Sequence, residues 1–269
     1  MPRWTGYAVS AVLLFVLYFV MVNAFFYAPT PTGKVRLMAM GADKGESGCE
    51  GAGYYSLTRI RSVGAGMVAL DVQADEDGTL RVHLPNAESC PRDAGAMSLV
   101  EAARLRPLTP MLLTVDGGAD MAERIVADFA EAKRDPVEQR DAFYGSPELI
   151  AALRAAWPGV WAMTADEIAA CASDYRRVGW TGLTLPESCR DRTLVIPLSQ
   201  RWLAWGWPDR MLARMSSLNG HVIVTDGISE GRPLGTGLTQ PEQLGNVPQS
   251  YNGWLLVDDI GKIGPAILR

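Results

Sequence analysis

Short apolar runs alternate with helix-like stretches along most of this chain, and that alternation restricts the fold more than any other feature. Val35–Met40, Met67–Val72, Met111–Asp116, Val160–Thr164, Leu194–Leu198, His221–Thr225 and Gly253–Val257 read as strands. Between them, Ala119–Lys133 repeats Met121, Ile125 and Phe129 at helical spacing. Pro147–Ala156 opens with Ser146 as N-cap and Pro147 at the first helical position. Strands separated by helices imply an α/β fold with a parallel sheet, because a parallel crossover is too long for a tight turn. The 48% hydrophobic content supplies a real core, and a net charge of −5 without a basic tract argues against nucleic acid as a partner.

The stretch Gly64–Leu84 holds the clearest chemistry. Asp71 sits inside the apolar run Met67–Val72, where a carboxylate is costly unless it is paired or binds something. Asp77-Gly78 then turns the chain into a second short strand, Leu80–Leu84, that alternates around His83. Asp75–Gly78 is a turn and not a calcium loop, since the partner Glu is absent. His83 is one of only two histidines, which limits any mechanism that needs a pair of them. The other, His221, opens a late strand and reads as structural.

Tyr7–Ala28 carries no charge and is apolar apart from Ser10 and Asn23. Its length suits one N-terminal transmembrane helix, and Arg3 before it favours export of the rest of the chain. Val22-Asn23-Ala24 also resembles a signal-peptidase site, so a cleaved leader stands beside an uncleaved anchor. The expected organisation is a membrane segment at 1–28, a stiff linker at 29–34 and a folded domain at 35–269. That domain has the size of one (β/α)8 barrel.

Gly64, Asp71, Val72, Asp77 and Gly78 stand in register, without gaps, with the second strand and following hairpin of glycerophosphodiester phosphodiesterases, and the stretch resembles that family. The resemblance implies a TIM-type (β/α)8 barrel, as in phosphatidylinositol-specific phospholipase C, and a divalent cation, Ca²⁺ or Mg²⁺. It implies a glycerophosphodiester or phospholipid head group as substrate. Ala42-Asp43-Lys44-Gly45 lies where the family reads A-H-R-G, so Asp43 replaces an acid/base His and Lys44 the phosphate-binding Arg. Lys keeps the charge and loses the bidentate fork. Glu50 is the nearest carboxylate to the next motif, and Asp116 the nearest match to a metal-binding Glu on a later strand. Ala69 stands where the family has another metal-binding Glu. Counted from the turn, the second catalytic His falls on Leu84, with His83 one place early and so expected on the opposite face unless a bulge intervenes.

The expected site is therefore Asp43 and His83 for proton transfer, Lys44 for phosphate, and Glu50, Asp71 and Asp116 for the cation. Asp71 has a rival role as an ion-pair partner of Lys44 or Arg61. Trp202 and Trp205 follow a strand, so in a barrel they lie on the catalytic rim, as a lip facing lipid or substrate or as packing. Four cysteines allow three pairings; the barrel puts Cys49 and Cys90 on one rim and so favours Cys49–Cys90 with Cys171–Cys189. Two functions are compatible with these residues. One is a phosphodiesterase on the extracytoplasmic side of the cell membrane. The other is a non-catalytic barrel that binds a lipid head group or an envelope partner.

Overall fold

The computed structural model describes residues 3–21, 33–40, 60, 62–84, 97–104, 109–181, 186–229 and 232–267. The strands are β1 (Arg36–Ala39), β2 (Ala65–Ala74), β3 (Leu80–His83), β4 (Met111–Val115), β5 (Ala142–Gly145), β6 (Trp161–Met163), β7 (Thr193–Pro197), β8 (His221–Thr225), β9 (Gly227–Ser229), β10 (Arg232–Thr236) and β11 (Trp254–Val257). The helices are α1 (Arg3–Met21), α2 (Leu99–Arg104), α3 (Ala119–Ala132), α4 (Pro136–Gln139), α5 (Pro147–Ala156), α6 (Ala165–Val178), α7 (Asp209–Ser217) and α8 (Ile260–Ile267). Strand order is β6-β5-β4-β2-β1-β11-β8-β7, with β3 added antiparallel to β2. The ladders along that order are parallel, and they curl into a nearly closed eight-stranded TIM-type barrel.

Two apolar layers arise from the period-two alternation of strand side chains. Met38, Met67, Ala69, Leu112, Ala142, Met163, Ile223 and Leu256 form one buried cluster, the barrel interior. The neighbouring positions, Leu37, Val68, Leu70, Leu113, Phe143 and Val224, face outward onto the helices. There Phe129 of α3, Phe143 of β5 and Trp157 meet at centroid distances of 5.8, 5.3 and 5.8 Å. Each fully buried ring of this kind is worth roughly 1.5–3 kcal/mol relative to exposure. Arg134 and Asp141 lock the start of β5 by a bidentate pair at 2.6 and 2.7 Å, and Asp141 also accepts from the Met111 amide at 2.8 Å.

Closure is incomplete at one place. Among the described residues, no backbone ladder joins β6 to β7. Side chains span the seam instead: the Trp161 indole donates to Thr193 Oγ1 at 2.9 Å, and Trp161 stacks on His221 at 3.9 Å. Ile168 of α6 and Leu234 of β10 join the interior cluster from outside the barrel strands. The Cys171–Cys189 disulfide ties α6 to the 3-10 turn Glu187–Cys189 before β7. Cys49 and Cys90 lie outside the described residues.

The expected membrane-spanning helix is not met. Among the described residues, no helix is long and apolar enough to cross a membrane. The apolar part of α1, Tyr7–Met21, rises roughly 22 Å at about 1.5 Å per residue, short of the roughly 30 Å of a bilayer core. Residues 22–28 of the expected span lie outside the described residues.

Candidate active site

Asp71 follows Met67 and Ala69 on the inward face of β2, four and two residues on, so its carboxylate stands at the C-terminal mouth of the barrel. It is half-buried there. The ladders fix its neighbours. Asp71 pairs with Thr114 of β4, Thr114 with Tyr144 of β5, and Tyr144 with Met163 of β6. Across the hairpin Asp71 pairs with His83.

That last pairing corrects the expectation for His83. Direct cross-strand partners share a face of the sheet, so His83 stands on the same side as Asp71. No bulge is needed, because the five-residue loop Asp75–Thr79 closes symmetrically. Asp75 N donates to Thr79 O at 2.9 Å, Gly78 N to Asp75 O at 2.9 Å, and Thr79 N to Asp77 Oδ1 at 2.9 Å. Gly78 takes φ +86°, the left-handed region that favours glycine, and the Arg124 guanidinium of α3 donates to its carbonyl. Leu84, where counting from the turn puts the second His, is buried in the outer layer with Val82.

Asp116 is exposed just past β4, two residues beyond Thr114. Its loop is held by Ser146 Oγ, which donates to Gly117 O at 2.7 Å and also caps α5 through Leu149 N at 3.2 Å. Tyr144 titrates above the usual tyrosine range, first because it is half-buried and then because Asp116 and Asp166 oppose its ionisation. Tyr144, on the inward face of β5, thus feels both carboxylates at the rim of the mouth. Asp258 continues the inward alternation of Trp254 and Leu256 beyond β11 and is buried at the same rim. Neither Tyr144 nor Asp258 stood out in the sequence. The signal that marks them is parity: each lies two residues past an inward apolar residue at a strand's end.

Asp43, Lys44 and Glu50 lie outside the described residues. Asp71 and Asp116 are then the described part of the expected cation set. Among the described residues, no group of three His, Cys, Asp or Glu side chains comes together to hold a metal ion. The described side chains do not by themselves fit Ca²⁺ or Mg²⁺, which take six or more oxygens.

The tryptophans divide. Trp202, in the 3-10 segment Leu198–Leu203 that follows β7, is 72% exposed on the rim. Trp205 is half-buried: its indole donates to Arg176 O at 3.0 Å, and its carbonyl accepts from Tyr175 OH at 2.6 Å. Trp207 stacks on Tyr251 at 5.4 Å. His221 lies at the start of β8, away from the mouth, with its pKa pushed down to about 4 by burial and then by Arg36. Arg36 itself lies over the Trp254 ring at 4.4 Å.

Solved structures share this architecture. A glycerophosphodiester phosphodiesterase from Agrobacterium tumefaciens superposes with a TM-score of 0.51 at 13% identity, over 87% of this chain and 100% of that one. One from Parabacteroides distasonis gives 0.53 at 13% identity, over 86% and 94% of the two chains. A third, from Thermotoga maritima, gives 0.50 at 13%, over 88% and 97%. No family model matches the sequence, and no curated protein matches it.

Proposed function

From a chain that has the glycerophosphodiester phosphodiesterase barrel fold, we propose a phosphodiesterase that hydrolyses glycerophosphodiesters to glycerol 3-phosphate and an alcohol. The observation that carries the reading is the pairing of Asp71 with His83 at the C-terminal mouth, the end where such barrels hold their chemistry. Cleaving a phosphodiester needs a base for the nucleophile and an acid for the leaving alkoxide. It also needs positive charge beside the phosphoryl oxygens. His83 takes one proton-transfer role and Asp43 the other; Lys44 binds phosphate. The reading includes a divalent cation, with Glu50 completing what Asp71 and Asp116 begin, and Trp202 and Trp205 toward the substrate. In the test, the full chain is given glycerophosphocholine with Ca²⁺ or Mg²⁺, and glycerol 3-phosphate is measured. Turnover is expected to fall by roughly 100-fold or more in His83→Ala, the usual scale for a general acid or base. Asp71→Ala is expected to remove the turnover that the cation supports. Turnover that survives both substitutions would remove the assignment.

One observation favours a second reading, a barrel that binds a lipid head group or envelope partner without turnover. The floor of the mouth is apolar: Met40, Met67, Ala69 and Met163 lie where further polar groups would serve catalysis. Ligand-dependent thermal stabilisation without product would select it.

The same proposal puts the barrel on the extracytoplasmic side of the cell membrane. Two features support it. Cys171–Cys189 is oxidised, as in exported proteins. The helix α1 exposes Val9, Leu13, Leu14, Phe15 and Leu17, a surface poorly suited to water. With thiols trapped in intact cells, Cys171 and Cys189 should resist alkylation until reductant is added. Alkylation without reductant would count against this placement.

A further inference from the structure

A groove beside the β6/β7 seam is lined by neither Asp71 nor His83. Its volume is about 630 Å³, inside the roughly 300–1,000 Å³ range of pockets that take one small-molecule ligand. One wall is a face of α6, where Ala165, Ile168, Ala169 and Ala172 recur at three- and four-residue spacing. The facing wall combines Val195 and Pro197 of β7 with Ile228 and Leu234 of the β9–β10 hairpin. Ile168 and Leu234 also belong to the interior cluster, so the groove adjoins the barrel interior through the seam. Pro197 and Thr225 end β7 and β8, so it opens on the rim that carries the mouth. Ile228, 72% exposed, forms its outer lip.

The charged groups in the lining are both cations, Arg176 and Arg177, at the far end of α6 from Ala165. Arg176 donates to Gln200 at 2.9 Å, and Arg177 pairs with Asp174 at 2.7 Å yet stays 75% exposed. Each guanidinium has five donors, so one such contact leaves others available. An apolar trough walled by small residues and ended by two guanidinium groups complements one hydrocarbon chain joined to an anion. Phosphate is the better anion here, since it meets two forked donors at once.

We propose that this groove binds a lysophospholipid, its single chain lying along α6 over Ala169 and Ala172 and its phosphate at Arg176 and Arg177. The inference rests on the groove and not on turnover at Asp71 and His83, so either can fail alone. The test uses the full chain in amphipol and a lysophosphatidylglycerol with a diazirine near the chain end. After photolysis, label is expected in peptides covering 165–177 and 227–235. Unlabelled lysophosphatidylglycerol should compete, with chain-matched monoacylglycerol and glycerophosphoglycerol each roughly tenfold weaker, for loss of the charged contact or of the chain. Ala169 is exposed, so Ala169→Trp fills the groove without disturbing the core, and labelling should drop roughly tenfold with the thermal melt retained. The double variant Arg176→Gln/Arg177→Gln keeps the groove and should erase the preference over monoacylglycerol. Label confined to α1, label unchanged in a folded Ala169→Trp protein, or monoacylglycerol competing equally would each overturn the proposal.

Discussion

His221 shows how one side chain couples the barrel to pH. An imidazole of ordinary pKa 6.5 in the unfolded chain falls to about 4 in the fold, because burial under Trp161 removes water and Arg36 adds repulsion. Above pH 6.5 the group is neutral in both states and contributes no pH dependence. As pH falls from about 6.5 to about 4, the unfolded chain takes up a proton that the folded chain refuses, so stability is lost across that window. The loss should reach on the order of 2 kcal/mol by pH 5. Urea denaturation at a series of pH values should show this slope, and His221→Gln should flatten it; an unchanged slope would assign the effect to other groups. At the mouth, the sequence showed Asp71 and His83 but not their relation. Counting from Gly78 treats the turn as the ruler, whereas the ladder that pairs Asp71 with His83 is set by the loop's own closure, Asp75 against Thr79.

At the scale of elements, the seam decides where the barrel gives way. Among the described residues, β6 and β7 each present one edge without a backbone partner across the gap, while β1 is paired on both sides by β2 and β11. Hydrogen exchange should therefore release the amides of Trp161–Met163 and Thr193–Pro197 before those of Arg36–Ala39. Trp161→Phe removes the bond to Thr193, and that edge should then exchange roughly fivefold faster, the scale of one hydrogen bond near 1 kcal/mol. Equal protection in β1 and β7 would mean that side chains close the ring as well as a ladder does. Most elements were legible from apolar periodicity, and Ser146 and Pro147 set the start of α5 where the structure has it. The β9–β10 hairpin was not, because Gly227, Pro233 and Gly235 dilute any strand pattern. Nor was α8, where Gly261, Gly264 and Pro265 argue against a helix. Packing overrides that preference: a Cβ on Gly264 would lie 1.9 Å from Val63 O, so the glycine permits the close approach.

For the whole molecule, alternation of strand and helix was enough to reach a parallel barrel, and the hairpin enough to reach the family whose solved members share its fold. The site was less legible. The parity of Tyr144 and Asp258 along their own strands was readable, but they share one rim because distant segments curl together, which parity alone does not record. The charge-free N-terminal run extends past the end of α1, and its described part alone falls short of a bilayer core. One feature of the barrel bears on what the mouth can accept. Beneath Asp71 lie Met38, Met40, Met67 and Met163, unbranched thioethers in place of the β-branched packing common in such barrels. Such a floor is compliant. It can re-form around ligands of different outline, and it trades a single sharply cut shape for tolerance, at the risk that an oxidant reaching those sulfurs would stiffen and wet the very surface that adapts.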